Sequence, residues 1–341
     1  MATKIAVNGF GRIGRCIVRA LYERNIKDLE VVAINDLTDP KTLAHLFRYD
    51  SVHREFKAAP VSVEDGAIRI GDDKIQVLAA KDPADLPWKA LGVDIVLECT
   101  GLFTEREKAS LHLKAGAKKV IISAPAKKQD VTIVMGVNEG DYDGNKHAII
   151  SNGSCTTNCL APMAKVLLDN FGIKYGLMTT VHSYTNDQHI LDVPHRKGDL
   201  RRARAAAVSM IPSSTGAAKA LSEVIPELRG KIDGQAIRVP TMDVSIVDLT
   251  VLTERPITKD AIDAAMKKAS ETAPTKGVVA YTDVPLVSSD YIGNPASTTY
   301  DATMTQVVGD HFAKVCAWYD NEWGFSNRMI DLASFVVGKG L

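Results

Sequence analysis

The stretch that most restricts the fold is Gly9-Phe-Gly11-Arg12-Ile13-Gly14. An apolar run within Lys4 to Asn8 precedes it, and a helical pattern through Cys16, Ile17, Val18, Ala20 and Leu21 follows. Three glycines so spaced between strand and helix permit a tight turn, a close backbone approach to a pyrophosphate, and close helix–strand packing. The pyrophosphate then rests on the free amides of the helix N-terminus. A second strand, Glu30 to Ile34, ends at Asn35-Asp36. Asp36 lies about twenty residues beyond the glycines, where a carboxylate can accept from both ribose hydroxyls. It would repel a 2′-phosphate, so NAD is expected rather than NADP. The competing reading makes Asp36 a cap for the turn at Thr38-Asp-Pro40.

The alternation of strand and helix continues. Val93 to Leu97 leads into Glu98-Cys-Thr100-Gly101, and a helix, Thr104 to Ala115, precedes Lys119 to Ser123. Such strand ends face ligand in an open parallel sheet, which makes Thr100, Gly101 and Ser123 candidates on the nicotinamide side. Residues 55–80 read as inserted hairpins with turns at Asp65-Gly66 and Gly71-Asp-Asp73, and further strands are expected at Val131 to Val137 and Ala148 to Ile150. The later half has long alternating runs and a helix near Lys259 to Thr272, an α+β pattern with an antiparallel sheet. A chain of 341 residues exceeds one ordinary core, so two domains are expected.

The expected fold is therefore α/β: a Rossmann-type dinucleotide-binding domain plus an α+β catalytic domain with a mostly antiparallel sheet. The first covers residues 1–153, joined by the C-terminal segment 321–341, and the second covers 154–320.

Charge gives no global pull toward nucleic acid or an anionic membrane, since 41 basic residues face 41 acidic ones. Five cysteines, Cys16, Cys99, Cys155, Cys159 and Cys316, are odd in number and widely spread, which suggests neither a disulfide framework nor a metal site. The N-terminus lacks the pattern of a secretory leader and no run is long and apolar enough to span a bilayer, so a cytoplasmic protein is expected.

The chemistry centres on Ser151-Asn-Gly-Ser-Cys155-Thr-Thr-Asn158-Cys159. The apolar positions Leu160, Met163, Ala164, Leu167, Leu168 and Phe171 then recur with helical spacing. Ser154 or a neighbour is the expected N-cap, which sets Cys155 in or just before the first turn, where free amides and the helix dipole favour a thiolate. The alternative is a buried, inert cysteine. His182 follows a strand, a place where a histidine can be purely structural. The run Arg196 to Arg204 is basic, with a solvated loop as the default reading and nucleic acid as the other. Ser213-Ser-Thr215-Gly216-Ala-Ala is read as the start of a helix and a ready anion site.

Together these stretches resemble phosphorylating glyceraldehyde-3-phosphate dehydrogenase. The matching segments are Asn8 to Gly14, Glu98 to Gly101, Ser151 to Pro162, His182-Ser-Tyr-Thr-Asn-Asp-Gln188, Leu200 to Arg204, Thr215 to Ala218, Arg238-Val-Pro240 and Trp318 to Trp323. The resemblance implies Cys155 as nucleophile and His182 as the residue that activates it. It implies that Gly9, Gly11, Arg12, Ile13 and Gly14 meet the pyrophosphate, that Asp36 meets the ribose, and that Lys81 lies beside adenine. Ser123 and Asn321 would hold the nicotinamide side. Thr185, Arg202 and Arg238 would surround one phosphate, and Ser154, Thr156, Thr215 and Gly216 another. Hydroxyl, amide and guanidinium donors suit a bound dianion.

The implied reaction oxidises glyceraldehyde 3-phosphate through a thiohemiacetal and a thioester, with inorganic phosphate as the second partner. A homotetramer is implied too. No metal, membrane or primary nucleic-acid partner is expected. Rival readings are erythrose-4-phosphate dehydrogenase, an NADP-preferring form, a cysteine hydrolase, and a binding or scaffold protein. Three positions depart from the family pattern: Gly153 stands for an alanine, Gly198 is an extra loop residue, and Phe325 replaces a tyrosine.

Overall fold

The computed structural model describes residues 2–341 and divides into two compact units. The first comprises residues 2–133, 139–153 and 326–341, and the second 134–138 and 154–325. The strand expected over Val131 to Val137 is only Val131–Thr132, because the chain passes at Val134 into the second unit.

In chain order the first unit carries β1 (Thr3–Asn8), α1 (Arg12–Glu23), β2 (Leu29–Asn35), α2 (Pro40–Arg48) and a small ribbon of β3 (Tyr49–Asp50) and β4 (Arg54–Glu55). Then come β5 (Val61–Glu64), β6 (Ala67–Ile70), β7 (Asp73–Leu78), α3 (Trp88–Leu91), β8 (Ile95–Glu98), α4 (Arg106–Lys114), β9 (Lys119–Ile122), β10 (Val131–Thr132) and β11 (Ile149–Ser151). The sheet order is β10-β11-β9-β8-β1-β2-β7-β6-β5. Strands β10 to β7 along that order run parallel, and the inserted hairpins extend one edge antiparallel. Strand β1 has β2 on one side and β8 on the other, the switch point where open α/β sheets bind ligand. The apolar positions of α1, Cys16, Ile17, Ala20 and Leu21, are buried.

The second unit carries α5 (Cys155–Phe171), β12 (Ile173–Ser183), β13 (Ile211–Ser214), α6 (Ala217–Val224), β14 (Ile232–Val239), β15 (Ser245–Thr253), α7 (Lys259–Glu271), β16 (Val279–Thr282), β17 (Thr298–Asp301), β18 (Gln306–Val308) and β19 (Phe312–Tyr319). Helix α8 (Trp323–Lys339) follows, and from Ser326 it belongs to the first unit. The order is β13-β14-β12-β15-β19-β17-β16, with β18 on β19. Only β12–β14 and β16–β17 are parallel pairs.

Helix α5 is the buried axis of this unit. Leu160, Met163, Ala164 and Leu167 share a core with Val247, Leu249 and Val251 of β15 and Val315 and Ala317 of β19. Pro162 lies inside the helix and has no N–H for the Asn158 carbonyl. The Thr298 hydroxyl donates to the neighbouring Cys159 carbonyl at 2.5 Å and lies 3.4 Å from that of Asn158. The helix continues past the proline to Phe171. Of the stretch Ser213 to Ala218 expected to begin a helix, only Ala217 and Ala218 are helical. Ile211–Ser214 pairs antiparallel with β14, and α6 starts at Ala217 with Gly216 at its cap and no side-chain cap bond.

Candidate active site

The glycine turn of the first unit is set by backbone sterics. Gly9 has φ +93, and a Cβ there would lie 2.7 Å from the Thr100 amide nitrogen. A Cβ on Gly14 would lie 2.2 Å from the Gly9 carbonyl oxygen, so the turn and α1 touch without side chains. Gly11 caps α1 and faces open space. These are the features a pyrophosphate cradle requires.

Asp36 accepts from two main-chain amides. Its Oδ1 accepts from the Thr38 amide at 3.0 Å, capping the turn, and its Oδ2 accepts from the Phe10 amide at 2.9 Å. An ionised carboxylate has lone pairs left for two ribose hydroxyls.

The turn is braced from beneath by groups that the sequence did not flag. Asn8 donates to buried Glu98 at 2.5 Å, and Asn35 donates to the Asn8 side-chain oxygen at 2.7 Å. The Trp88 indole donates to His112 Nδ1 at 3.0 Å, which leaves His112 Nε2 to donate to Glu98 at 3.1 Å. Thr100 donates to the same carboxylate through its amide at 2.8 Å and through its hydroxyl. Gly101, with φ +69, follows in an exposed bend.

Ile13 is half-buried in the first turn of α1, Lys81 is exposed just past β7, and Ser123 is half-buried just past β9. Arg12 has a carboxylate partner within its unit. Its guanidinium is engaged by Asp50, through Nη1 and, at 3.1 Å, Nη2. Burial pushes the Asp50 carboxyl up, but Arg12 and the amides of His53 and Val52 outweigh it and leave it at about 2. Near neutral pH the charge of Arg12 is matched before any phosphate arrives.

In the second unit the Ser154 hydroxyl accepts from the Thr157 amide at 3.0 Å and so caps α5, as expected. Cys155 is the first residue of the helix, and its Sγ lies 3.5 Å from His182 Nε2. His182, next to last in β12, is buried. The Tyr319 hydroxyl lies 2.9 Å from Thr156 Oγ1 and 2.8 Å from Thr180 Oγ1, and its ring meets the His182 imidazole edge-on. Tyr319 thereby ties the start of α5 to β12.

A helix start does not by itself ionise Cys155. Burial of the sulfur pushes the thiol up, and Arg238 and the Thr156 amide offset this only in part. His182 is pulled down to about 3, by burial first and then by Arg238.

Arg238, Thr185 and Arg202 converge. The Arg238 Nη1 lies 2.9 Å from His182 Nδ1 and donates to the Ser183 carbonyl at 3.1 Å and to Thr185 Oγ1 at 3.3 Å. Asp187 joins the group, accepting from Thr185 Oγ1 at 2.5 Å and from Arg202 Nη1. Burial works against the Asp187 carboxylate, yet the Thr185 hydroxyl and both arginines hold it low. Asp187 lay in a motif already noted but carried no assigned role. A lone acid beside two cations on separate strands and loops has no spacing signal.

The other proposed anion set is less drawn together. The Ser154 hydroxyl caps α5, the Thr156 hydroxyl meets Tyr319, and Thr215 Oγ1 accepts from the Ala217 amide at 3.2 Å. Gly216 is exposed at the start of α6. Asn321 is oriented more firmly. Its Oδ1 accepts from Ser183 Oγ at 2.8 Å and Ser245 Oγ at 2.7 Å, so Nδ2 is the donor left for a ligand.

The departures fit locally. Gly153 adopts φ +66, a conformation that glycine takes without strain. Gly198 has φ +71 with nothing near its missing Cβ, and Phe325 is buried.

A Rossmann unit that fits a dinucleotide, combined with a separate α+β catalytic unit, defines an NAD-dependent oxidoreductase. Residues 3–106 match the family description "Glyceraldehyde 3-phosphate dehydrogenase, NAD binding domain", and residues 154–321 match its "C-terminal domain". The chain is 57% identical over 341 residues to the glyceraldehyde-3-phosphate dehydrogenase of Geobacillus stearothermophilus, covering 100% of each chain. It is likewise 57% identical, with 100% of each covered, to glyceraldehyde-3-phosphate dehydrogenase 1 of Bacillus subtilis (strain 168). A plasmid-encoded glyceraldehyde-3-phosphate dehydrogenase of Cupriavidus necator is 57% identical, covering 98% of each chain. The chain belongs to the glyceraldehyde-3-phosphate dehydrogenase family.

Proposed function

We propose that this chain carries out the phosphorylating oxidation of D-glyceraldehyde 3-phosphate to 1,3-bisphosphoglycerate through a covalent intermediate on Cys155. The observation that carries the reading is the 3.5 Å approach of Cys155 Sγ to His182 Nε2, beside the Thr185, Arg202 and Arg238 cluster. Bound NAD supplies the acceptor for the hydride. Gly9, Gly11, Gly14 and Asp36 are the residues that hold it, with Arg12, Ile13, Lys81, Thr100, Gly101, Ser123 and the Asn321 amide in supporting contacts.

Cys155 sulfur attacks the aldehyde carbon, and its proton leaves through His182, giving a thiohemiacetal. The Cys155 amide at the start of α5 and His182 stabilise the developing oxyanion. His182 Nε2 takes the hydroxyl proton as the carbon is oxidised to the thioester. Inorganic phosphate then attacks that carbonyl, the carbon–sulfur bond breaks, and the proton held by His182 returns to the Cys155 sulfur. Thr185, Arg202 and Arg238 grip the substrate's own phosphate. Ser154, Thr156, Thr215 and Gly216 receive the attacking phosphate. This second set is what separates the reading from erythrose 4-phosphate oxidation ending in hydrolysis.

The test is reduced-nicotinamide absorbance with NAD and glyceraldehyde 3-phosphate, with and without inorganic phosphate, alongside erythrose 4-phosphate. Strong phosphate-dependent turnover of the triose is expected. Turnover indifferent to phosphate, or faster with the tetrose, sinks the reading.

The chain acts as a homotetramer in the cytoplasm. Supporting the assembly, Tyr175, Leu177 and Phe312 form an apolar sheet face, with Tyr175 and Leu177 67% and 69% exposed. Light scattering that returned a monomer mass would overturn it. Among the described residues no helix is long and apolar enough to cross a membrane, and all five cysteines are free thiols, as a reducing compartment maintains them.

A further inference from the structure

Glu98 is the last residue of β8 and pairs in register with Asn8, the last of β1, beneath the glycine turn. It is wholly buried, and every polar group around its carboxyl donates to it. At Oε2 these are Asn8 Nδ2, 2.5 Å away, and His112 Nε2, 3.1 Å away. The Asn8 amide cannot be turned over. The Ala80 amide donates to Asn35 Oδ1 at 2.9 Å, so Asn35 Nδ2 donates to Asn8 Oδ1 at 2.7 Å, and Asn8 Nδ2 is left for Glu98. The His112 ring is fixed in the same way. The Trp88 indole can only donate, so Nδ1 accepts and the single ring proton is on Nε2. At Oε1 the donors are the Thr100 amide at 2.8 Å and the Thr100 hydroxyl.

A proton on Glu98 would break this pairing. At Oε2 it would meet two donors. At Oε1 it would meet Thr100 Oγ1, which already accepts from the Leu102 amide at 3.0 Å, and the Thr100 hydroxyl hydrogen would lose its acceptor. The ionised carboxylate pairs every group, and among the described residues no lysine or arginine is paired with it. A buried charge without a counter-charge is costly even when hydrogen-bonded. The dinucleotide can bring the missing charge. Asp36, beyond β2, takes the adenosine half, so the nicotinamide half crosses β1 to the Thr100 side of the turn. Its oxidised ring carries one positive charge, which hydride transfer removes.

We propose that Glu98 is a specificity-determining residue for the cofactor: its buried negative charge favours the oxidised nicotinamide ring over the reduced one. A fully buried carboxylate is screened far less than a surface one, so its field reaches beyond its own hydrogen bonds. NAD is held more tightly before the reaction, and the reduced product, its ring neutral, is held less tightly after it. Thr100 ties this charge to the turn. Two hydrogen bonds fasten it to Glu98, and its amide nitrogen stands 2.7 Å from where a Gly9 Cβ would be. The preference rests on placing the nicotinamide half at Thr100.

The experiment is calorimetric titration of the full chain with NAD, NADH and ADP-ribose, which lacks the ring and so reports any damage to the turn itself. In Glu98→Gln the preference for NAD over NADH should fall roughly fivefold, the scale of one unit charge acting through a protein interior. Adding Asn8→Asp returns a carboxylate to the same cluster. It can accept from the new glutamine amide and from His112 Nε2, which lies 3.3 Å from the replaced Nδ2. The double variant should recover the wild-type preference. A fall that the second change reverses supports the role of the charge. Equal weakening of NAD and NADH, or a fall that the second change leaves in place, overturns it. If Glu98→Gln fails to fold, the double variant decides alone: a wild-type preference supports the charge and a lost one overturns it. Cross-relaxation between the Thr100 methyl and the nicotinamide protons of bound NAD checks the placement separately. No such contact removes the placement and the preference with it, whereas contact with an unmoved NAD-to-NADH ratio in Glu98→Gln overturns the preference alone.

Discussion

The dinucleotide turn and the cysteine–histidine centre are built from different materials. The turn is backbone: Gly9 and Gly14 are fixed by how close Thr100 and the Gly9 carbonyl come to them, and Asp36 engages two main-chain amides. The centre is side chain: α5 supplies Cys155, β12 supplies His182, β14 supplies Arg238, and a loop supplies Asp187 and Arg202. A site made of backbone is rigid and has few titrating parts. A site made of converging side chains balances charge against burial. The two should therefore fail in separate ways when struck separately.

The largest separation comes from Cys155→Ser. Triose oxidation should fall on the order of a millionfold, the scale on which removing a covalent nucleophile acts. NAD affinity, measured by calorimetry, should stay within about twofold, because the glycine turn contributes nothing to the thiol chemistry. Near wild-type turnover in that variant would remove the covalent route.

Gly14→Ala makes the opposite cut. Its Cβ would lie 2.2 Å from the Gly9 carbonyl oxygen, and backbone cannot yield as a flexible side chain can. Overpacking of this kind costs about 1–3 kcal/mol, or roughly 5- to 150-fold in NAD affinity if the turn opens to relieve it. Alkylation of Cys155 by iodoacetamide should proceed at the wild-type rate without NAD. A variant that bound NAD normally would show that the turn is softer than its contacts imply.

The same division decides what could be read from the sequence. The glycine spacing, the strand before it and Asp36 after it are local, so the turn was legible within one short segment. The Ser154 cap was legible for the same reason. The pairing of Cys155 with His182 came from resemblance alone, because nothing local in a sequence records that a helix start and a strand end meet. Asp50 on Arg12, Asp187 between two arginines and Tyr319 behind the imidazole were not foreseen, since each reaches its partner from a separate element. The stretch before α6 was misread because its small hydroxyl residues suit a helix cap, whereas pairing with β14 claims Ile211–Ser214 as strand.

The smallest effect is a matter of pH, and it belongs to the side-chain centre. The folded protein holds His182 at about 3 against 6.5 for an ordinary histidine, first through burial and then through Arg238. Between those values the unfolded chain binds a proton that the folded chain refuses. Stability therefore rises with pH across that window and is lost on acidification. The contribution should reach roughly 1 kcal/mol by about pH 5.5, since one proton's linkage is about 1.4 kcal/mol per pH unit at most. Asp50 and Asp187, both held low, lose their stabilising ionisation at more acidic pH and blur the raw curve. The comparison that isolates the histidine is denaturant unfolding of wild type against His182→Asn at neutral pH and near 5.5. The variant should lose less stability on acidification by about that amount. Equal losses would mean that His182 takes up its proton in the folded protein as readily as in the unfolded chain.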